Sequence, residues 1–365
     1  MRVLFLQQQP CIRALKYAVG VRAARPDVEL GFAFQGRTLT EWYGSGDELF
    51  GQWWRLDGRP GKELGRIIAE FSPDLIHSHN LPDVLTVLAL EVAGDRIPVV
   101  HDVHDLQSLR RTPYENGFPE PGDALALEKR AVEGSAALIA VSDELLAEIR
   151  ARHSLPPHTL PFANYALRRD LPARLPRKRR SEGPPRVVYQ GTLSTNGGHY
   201  DLRELFTAIV AEGLPLDIFP SREVPAYRRL ADAHAGMRYH DTLDPRALVR
   251  ELPRYDFGWA GFNDELNGPH LDTVLPNKLY EYLGCGLPVL TLGHRALSRF
   301  VAENGVGLAL DGVEGLAERL SETDVDALRA RVRAVRGRMT VEANISAVAG
   351  LYDALVERGR ATKPA

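Results

Sequence analysis

The residues best suited to chemistry lie in one stretch, which runs from Leu275-Pro276-Asn277-Lys278 through Glu281 to Gly286-Leu287-Pro288. The pattern predicts a loop, a short helix with Asn277 as its N-cap, a glycine stop at Gly286 and a buried strand after Pro288. A helix start offers backbone N–H groups and a positive dipole end, so this one is suited to bind an anion such as a phosphate.

Lys278 places a cation where the helix dipole disfavours one by about 0.3–1 kcal/mol unless an anion is bound beside it. Glu281 follows one turn later and could accept hydroxyl groups of a ribose or another sugar. The alternative is ordinary packing of a helix on a sheet, with both charged side chains in solvent. The pattern alone favours the two interpretations equally.

A second loop, Gly191-Thr192-Leu193-Ser194-Thr195-Asn196-Gly197-Gly198, joins a predicted strand to a predicted helix. Polar, glycine-containing loops of this kind let backbone amides approach a phosphate. An ordinary flexible loop would have the same composition. Ligands of parallel α/β sheets bind beyond the carboxyl ends of the strands, which is where this loop lies.

Short apolar runs alternate with helical patterns along both halves of the chain, which predicts two parallel, doubly wound sheets. In the first half, strands are expected at Val3–Leu6, Leu30–Phe34, Leu75–His77, Val99–His101 and Ala137–Val141, and helices at Ile12–Arg25, Gly61–Glu70, Val84–Ala93, Leu125–Glu133 and Asp143–Ala151. The proline-rich, basic segment 171–185 interrupts the alternation and is expected to be an exposed linker.

The alternation then resumes. Strands are expected at Val187–Gln190, Leu216–Phe219, Met237–His240, Phe257–Ala260, Val289–Leu292 and Val306–Ala309, and helices at Asp201–Glu212, Tyr227–Ala233, Pro245–Glu251, Lys278–Leu283 and Ala296–Ala302. A long helical pattern, Asp324–Arg358, ends the chain.

Composition narrows the class of protein. The formal net charge of −3 gives no support to nucleic-acid binding. Only two cysteines are present, Cys11 and Cys285, which fits a reducing cytoplasm rather than a disulfide framework. No apolar run reaches the roughly 18 residues that span a bilayer, so any membrane contact is expected to be peripheral.

Several segments together resemble the GT-B glycosyltransferases, specifically the retaining group called family 4. Besides Leu275–Leu290, the matching segments are Pro73–His79, Pro98–Leu106, Ala137–Asp143 and Val187–Ser194, in the family's order. The resemblance implies an α/β fold of two Rossmann-like domains facing across a cleft. The N-terminal domain would comprise residues 1–170, joined by a C-terminal helix at 341–360, and the donor domain residues 186–340.

The resemblance also implies an activity. The chain would transfer a sugar from a nucleotide sugar, used as co-substrate without any other cofactor, to an acceptor. His104 would lie beside the transferred sugar, and Lys278 and Glu281 would act with it in catalysis. The expected donor-binding residues are Gly191, Thr192, Ser194, Gly198, Thr273, Leu275, Pro276, Asn277, Lys278 and Glu281. By contrast His77, His79 and His101 are expected to be structural.

Three positions depart from the family. Thr192 and Gly197 stand where many relatives have the arginine and lysine that clamp the diphosphate, and Thr273 replaces the first glutamate of a Glu-x7-Glu pair, with Asp272 beside it as a partial substitute. These departures leave two alternatives open, an inactive GT-B partner subunit and a GT-B sugar-nucleotide epimerase.

No metal site is expected. The single Asp-x-Asp, Asp324-Val325-Asp326, is interpreted as a helix cap. The acceptor stays open between a small molecule, a glycan and a lipid-linked compound, as does the oligomeric state. Arg177–Arg180 could touch an anionic surface, and Trp53 and Trp54 could contact a ligand or pack in the core.

Overall fold

The computed structural model describes residues 1–111, 122–176 and 183–361, with the main chain alone at 360 and 361. The basic run Arg177–Arg180 lies outside the described residues. The chain divides into two compact units, residues 1–163 with 341–365, and residues 164–340. The division at 163/164 differs from the expected limit at 170, and the C-terminal helix belongs to the first unit.

The first unit contains a parallel sheet whose strand order is β3-β2-β1-β4-β5-β6-β7. Its strands are β1 (Arg2–Gln7), β2 (Glu29–Phe34), β3 (Gln52–Arg55), β4 (Leu75–His79), β5 (Val99–Val103), β6 (Ala137–Ala140) and β7 (His158–Pro161). Its helices before the second unit are α1 (Ile12–Ala24), α2 (Leu39–Tyr43), α3 (Pro60–Phe71), α4 (Val84–Ala93), α5 (Ala124–Gly134) and α6 (Asp143–Arg152). The central strands β4 and β5 are fully buried because helices cover both faces of the sheet, although they carry polar as well as apolar residues.

The second unit contains a parallel sheet of order β10-β9-β8-β11-β12-β13. Its strands are β8 (Val187–Gly191), β9 (Leu216–Pro220), β10 (Met237–Tyr239), β11 (Phe257–Trp259), β12 (Val289–Leu292) and β13 (Gly307–Leu310). Its helices are α7 (Arg203–Ala211), α8 (Pro225–Asp232), α9 (Pro245–Glu251), α10 (Gly268–Leu271), α11 (Asn277–Gly284), α12 (Arg295–Asn304), α13 (Leu316–Glu322) and α14 (Val325–Val335). The chain then returns to the first unit as α15 (Val341–Ala361).

The predicted strands and helices form, but the sequence missed several elements. Trp53 and Trp54 lie on β3, a strand that the sequence did not predict, where Trp54 is buried and Trp53 stacks on Phe32 with ring centroids 4.8 Å apart. Trp54 is therefore a core residue, and the half-buried Trp53 packs against the sheet. The strand β7 was missed because His158–Pro161 is short and only partly apolar.

The C-terminal pattern is two helices rather than one, because α14 ends at Val335 before α15 begins at Val341. Asp324 caps α14 by accepting a hydrogen bond from the Ala327 amide at 2.9 Å, as the sequence predicted. Part of the expected linker is also packed. Leu171 and Leu175 lie so close to Gly284 and Gly286 that a Cβ at either glycine would collide with them.

A buried polar network connects distant parts of the first unit. Arg13 of α1 binds Asp102 of β5 through both carboxylate oxygens, at 2.7 and 2.8 Å, and donates to the Phe162 carbonyl at 2.8 Å. His79 Nδ1 lies 3.0 Å from Asp102 Oδ2, and the neighbouring His77 ring is hydrogen-bonded to the Tyr352 hydroxyl of α15. The network thus connects α1, β4, β5, the end of β7 and α15.

The protonation of this network follows from its burial. Desolvation lowers the pKa of His77 and lowers that of His79 to about 3. Desolvation alone would raise the pKa of Asp102, but Arg13 and the two histidines hold it well below its usual range. The folded unit therefore holds neutral imidazoles beside an ionised carboxylate at neutral pH.

We expect the free energy of unfolding to decrease as the pH is lowered below about 6.5, the pKa of a histidine in the unfolded chain. The decrease should continue until the pH reaches the lower pKa values that His77 and His79 have in the folded protein. Only the unfolded chain protonates these rings in that window, at roughly 1.4 kcal/mol per pH unit for each histidine. The measurement is urea unfolding between pH 7.5 and 5.0. His158→Gln, outside the network, should keep the slope, while His79→Gln should reduce it. An unchanged wild-type midpoint across that range would contradict the assignment.

Candidate active site

The helix α11 presents Lys278 in a buried position. The helix begins at Asn277 after Pro276, and no side chain caps its start, so the expected N-cap role of Asn277 is wrong. Lys278 is 6% exposed, its ammonium donates to the Tyr189 hydroxyl at 2.9 Å, and it lies 4.1 Å from the centroid of the Tyr189 ring. The solvated-lysine alternative therefore does not hold.

Aromatic rings surround this ammonium. Besides Tyr189, the rings of Phe262 and Tyr200 have centroids 5.4 and 5.7 Å from Nζ. No carboxylate of the described residues forms an ion pair with it. Burial lowers the pKa of Lys278 to about 7, and the more distant charge of Glu281 only partly opposes this. A buried cation without a carboxylate partner is poised to gain from a bound anion.

Gly191 lets the end of β8 approach this lysine. Its φ is +130°, a conformation that favours glycine, and a Cβ there would lie 3.5 Å from Lys278 Cε. Thr192 follows and is exposed, and its carbonyl accepts from the Tyr189 hydroxyl at 2.5 Å. Gly191 and Thr192 are thus brought beside Lys278, whereas their role toward a donor stays a prediction.

Several backbone amides in the rest of this loop donate hydrogen bonds to nearby residues of the same segment. Ser194 N–H donates to the Tyr200 carbonyl, Gly197 N–H to Asp201, and Gly198 N–H to the Asn196 side chain, each at 3.0 Å. Those amides are therefore engaged in this conformation. The hydroxyl of Ser194 is the exception, because it is buried without a hydrogen-bond partner among the described residues.

Glu281 is held by a neighbour on the adjacent strand. The side-chain amide of Gln190 donates to Glu281 Oε2, and the Gln190 backbone N–H donates to the Tyr282 hydroxyl at 2.9 Å. Gln190 was not singled out from the sequence, although it is a polar residue at the end of an apolar strand. Glu281 keeps a second oxygen that could accept a ribose hydroxyl.

Thr273, which stands where the family has its first glutamate, and the adjacent Asp272 both form local hydrogen bonds. The buried Thr273 donates through its hydroxyl to the His270 carbonyl at 2.7 Å. Asp272 accepts from the Arg295 amide at 3.0 Å at the start of α12 and pairs with the Arg295 guanidinium at 3.4 Å. Asp272 therefore stabilises a helix start, which argues against it as a substitute. Leu275 is buried next to the half-buried Pro276, and its carbonyl accepts from Asn164 at 3.0 Å.

His104 lies in the loop after β5, in the first unit. Burial lowers its pKa, so the ring is neutral at pH 7, and its Nε2 is buried with no hydrogen-bond partner among the described residues. The expected structural histidines differ from it: His77, His79 and His101 are at most 1% exposed within β4 and β5. His77, His79 and His101 also have ring nitrogens without a hydrogen-bond partner among the described residues, so what distinguishes His104 is its position in a loop and its smaller burial.

Asn80 fixes the backbone at His104, and the sequence analysis missed it. Its side-chain oxygen accepts from the His104 N–H at 3.0 Å, and its side-chain amide donates to the Asp105 carbonyl at 2.5 Å. Its own N–H donates to the Asp102 carbonyl at 3.1 Å. Asn80 is 1% exposed and directly follows β4, so a polar residue just after a buried strand was the available signal.

Three side chains have the composition of a metal site. Ligand atoms of His77, His79 and Asp102 lie within 4.8 Å of one another. However, Arg13 already occupies both oxygens of Asp102 and brings a positive charge into the cluster. This arrangement disfavours a divalent cation, and we interpret the trio as part of the polar network.

We expect a nucleoside diphosphate to bind with proton uptake at Lys278. At pH 8 the lysine is mostly neutral in the empty protein, and a bound diphosphate should raise its pKa. The measurement is calorimetric titration with UDP at pH 8 in two buffers of different ionisation enthalpy. Up to about one proton should be taken up, and affinity should weaken as pH rises above about 7.

Lys278→Met should abolish the proton uptake, weaken UDP binding at pH 7 at least tenfold and leave the unliganded protein equally or more stable. The control is Lys129→Met, which removes an exposed lysine of α5. Normal binding by Lys278→Met would remove Lys278 from the anion site.

Known families match both units. Residues 12–161 match the model of Glycosyltransferase Family 4, and residues 203–341 match the model of the glucosyltransferase 3-like C-terminal domain. No sequence among curated proteins matches the chain significantly. No described helix has both the length and the hydrophobicity needed to span a bilayer.

Solved structures share the fold across the whole chain. Sucrose-phosphate synthase of Thermosynechococcus elongatus has a TM-score of 0.68 at 14% identity, with 98% of this chain and 99% of that chain covered. HepE of Anabaena, in complex with UDP, has a TM-score of 0.68 at 15% identity, covering 97% and 100%. WaaG, a glycosyltransferase of lipopolysaccharide biosynthesis, has a TM-score of 0.60 at 12% identity, covering 96% and 99%. With glycosyltransferase models matching both units, the chain belongs to the GT-B glycosyltransferases, and its N-terminal unit is of the family 4 type.

Proposed function

We propose that this chain is an enzyme that transfers a hexosyl group from a nucleotide sugar to an acceptor, with retention at the anomeric carbon and without a metal ion. The observation that carries the proposal is the buried ammonium of Lys278, which has no carboxylate partner in the described part of the chain and lies beside Gly191 at the end of β8. Such a cation suits a diphosphate leaving group. Support comes from HepE, which was solved with UDP and with UDP-glucose.

Each residue has a distinct role in this proposal. Lys278 neutralises the charge that develops on the diphosphate as the bond from its oxygen to the anomeric carbon breaks. Glu281, oriented by Gln190, accepts a ribose hydroxyl. His104 uses its unpartnered Nε2 to hydrogen-bond the transferred sugar. The acceptor hydroxyl oxygen bonds to the anomeric carbon and its proton passes to the departing phosphate, so no enzymic nucleophile is required.

A non-catalytic GT-B subunit is the second candidate. Thr192, Gly197 and Thr273 lack the charges expected there, and Gly197 and Thr273 are engaged in local hydrogen bonds. The enzyme is favoured by the burial of Lys278 without a carboxylate partner among the described residues, because a buried cation has a desolvation cost that an anionic ligand would offset.

The test is acceptor-free turnover of UDP-glucose, UDP-N-acetylglucosamine and GDP-mannose by the full chain, followed by mass spectrometry. Slow release of free nucleotide is expected, and it should persist in excess chelator because Lys278 replaces a metal at the diphosphate. Interconversion of two nucleotide sugars would indicate an epimerase. Absence of both turnover and binding would support the inert subunit. A loss of more than about tenfold with chelator, restored by magnesium, would overturn metal independence.

We expect His104→Ala to lower this turnover at least tenfold, which corresponds to about 1.4 kcal/mol of barrier. UDP affinity should change little, because the proposal places His104 at the sugar. Asn80→Asp should also lower turnover, since it replaces the amide that donates to Asp105 with an oxygen.

The double variant distinguishes positioning from general damage. If Asn80 acts by holding His104, then Asn80→Asp has no further effect on turnover in the His104→Ala background. Ser78→Ala, which removes a buried 2.7 Å hydrogen bond to Thr86 away from the loop, is the control for lost stability. Additive losses would show that Asn80 does not act through His104.

A further inference from the structure

The loop that carries His104 is attached to other elements at both of its ends. At its start, the side-chain oxygen of Asn80 accepts from the His104 N–H at 3.0 Å. At its end the chain forms a short 3-10 helix, Gln107–Leu109, in which the N–H of Ser108 donates to Oε2 of Glu128 at 2.8 Å. His104 therefore lies between two anchored points of the backbone.

Both carboxyl oxygens of Glu128 are in use. Glu128 is one of the buried residues of α5 and is only 1% exposed. While Oε2 accepts from Ser108, Oε1 lies 2.7 Å from Nε2 of His153, the residue that ends α6. One buried side chain thus connects α5, the end of α6 and the turn after His104.

Apolar contacts hold the same turn without fixing its exact place. Leu106 and Leu109 are at most 5% exposed and belong to a cluster with Val132 of α5 and Ile149 of α6. Such contacts are non-directional, so they press the turn against the helices but do not define its backbone. A hydrogen bond to a backbone N–H is directional, and the one from Ser108 to Glu128 supplies that definition.

A buried carboxyl group is not required for the packing of α5. Its transfer out of water is costly, and replacing a buried charged pair by apolar residues of similar volume is often neutral or stabilising. A leucine at position 128 would extend the apolar cluster around Leu109 and Val132. What the glutamate adds to that cluster is a fixed backbone amide close after His104.

We infer that Glu128 is a positioning residue of the sugar-transfer reaction, and that it keeps His104 in place by holding the Ser108 amide. The inference rests on the proposed function, because it assigns a residue that acts through His104 in that reaction. The alternative is that Glu128 only joins α5 to the end of α6 through His153. The two interpretations differ in which of its hydrogen bonds matters for turnover.

The experiment compares two substitutions of Glu128. Glu128→Leu removes both hydrogen bonds, whereas Glu128→Gln can keep the one to Ser108 through its carboxamide oxygen. Its NH2 group then faces Nε2 of His153, which can accept when the ring proton is on Nδ1. Glu133→Gln is the matched control, because Glu133 lies on the same helix and also accepts a backbone N–H, that of Ser154 at 3.2 Å.

Two quantities are measured on the full chain. One is hydrogen–deuterium exchange of the peptide with residues 104–110, and the other is steady-state turnover of UDP-glucose, UDP-N-acetylglucosamine and GDP-mannose. Glu128→Leu should speed exchange of that peptide and lower kcat, each about tenfold or more, because the turn opens and His104 loses its place. KM and UDP affinity should change little, since Lys278 and Glu281 belong to the second unit. Glu128→Gln should restore most of kcat, and Glu133→Gln should alter neither quantity.

His153→Leu separates positioning from a structural role. It removes the bond to α6 and leaves Ser108 on Oε2, so kcat should stay close to the wild-type value even if the melting temperature falls. A loss of kcat as large as that of Glu128→Leu would overturn the inference in favour of the alternative. Ser108→Pro removes only the donating N–H and should reproduce the loss of kcat, and it serves in place of Glu128→Leu if that variant does not fold.

The outcomes distinguish this inference from the proposed function. In the His104→Ala background, Glu128→Leu should cause no further loss of turnover, and a second, additive loss would show that Glu128 acts elsewhere. Wild-type turnover together with a normal kcat in Glu128→Leu or Ser108→Pro overturns the positioning role alone. If the wild type neither turns over a nucleotide sugar nor binds UDP, the proposed function fails and this inference fails with it.

Discussion

The first unit depends on the buried ion pair between Arg13 and Asp102. Both partners are almost fully excluded from solvent, and the pair is joined to α15 through His77 and Tyr352. Breaking a buried pair by removing one partner typically costs about 3–5 kcal/mol, because the other charge stays behind. The same aspartate accepts the Asn80 amide through its carbonyl. The Arg13–Asp102 ion pair therefore also fixes the position of β5, after which the loop with His104 begins.

The buried Lys278 of the second unit has a different environment from the buried Asp102 of the first. Asp102 is surrounded by partners, whereas Lys278 has a tyrosine hydroxyl and aromatic faces. A buried charge must be paired or must become neutral, and the lowered pKa of Lys278 shows the second outcome. Burial of an amine without a carboxylate partner is an energetic cost of the empty protein, which a bound anion would offset.

The sequence predicted the fold well where its signal was periodic. Apolar runs located the central strands, and the alternation with helices implied two parallel sheets. It failed where a strand was short or its partners were distant in sequence. The strand Gln52–Arg55, for example, has only four residues, and its contact with Phe32 is visible only in the structure. In the candidate site, motifs pointed to Lys278 and His104, whose roles stay predictions, but no motif pointed to Asn80 and Gln190. Their importance comes from hydrogen bonds to residues far along the chain, which no local pattern reveals.

The loop after β8 has Thr192 and Gly197 at the two positions where many relatives have an arginine and a lysine. Gly197 has a φ of +74°, which a lysine would adopt only with strain, and its amide binds Asp201. Asp201 in turn holds Arg203 through two hydrogen bonds, at 2.7 and 2.8 Å. The loop is therefore organised around its own ion pair, and restoring the missing lysine would disturb it. In the proposed donor site, positive charge for the diphosphate is therefore left to Lys278, the buried lysine that contacts Tyr189.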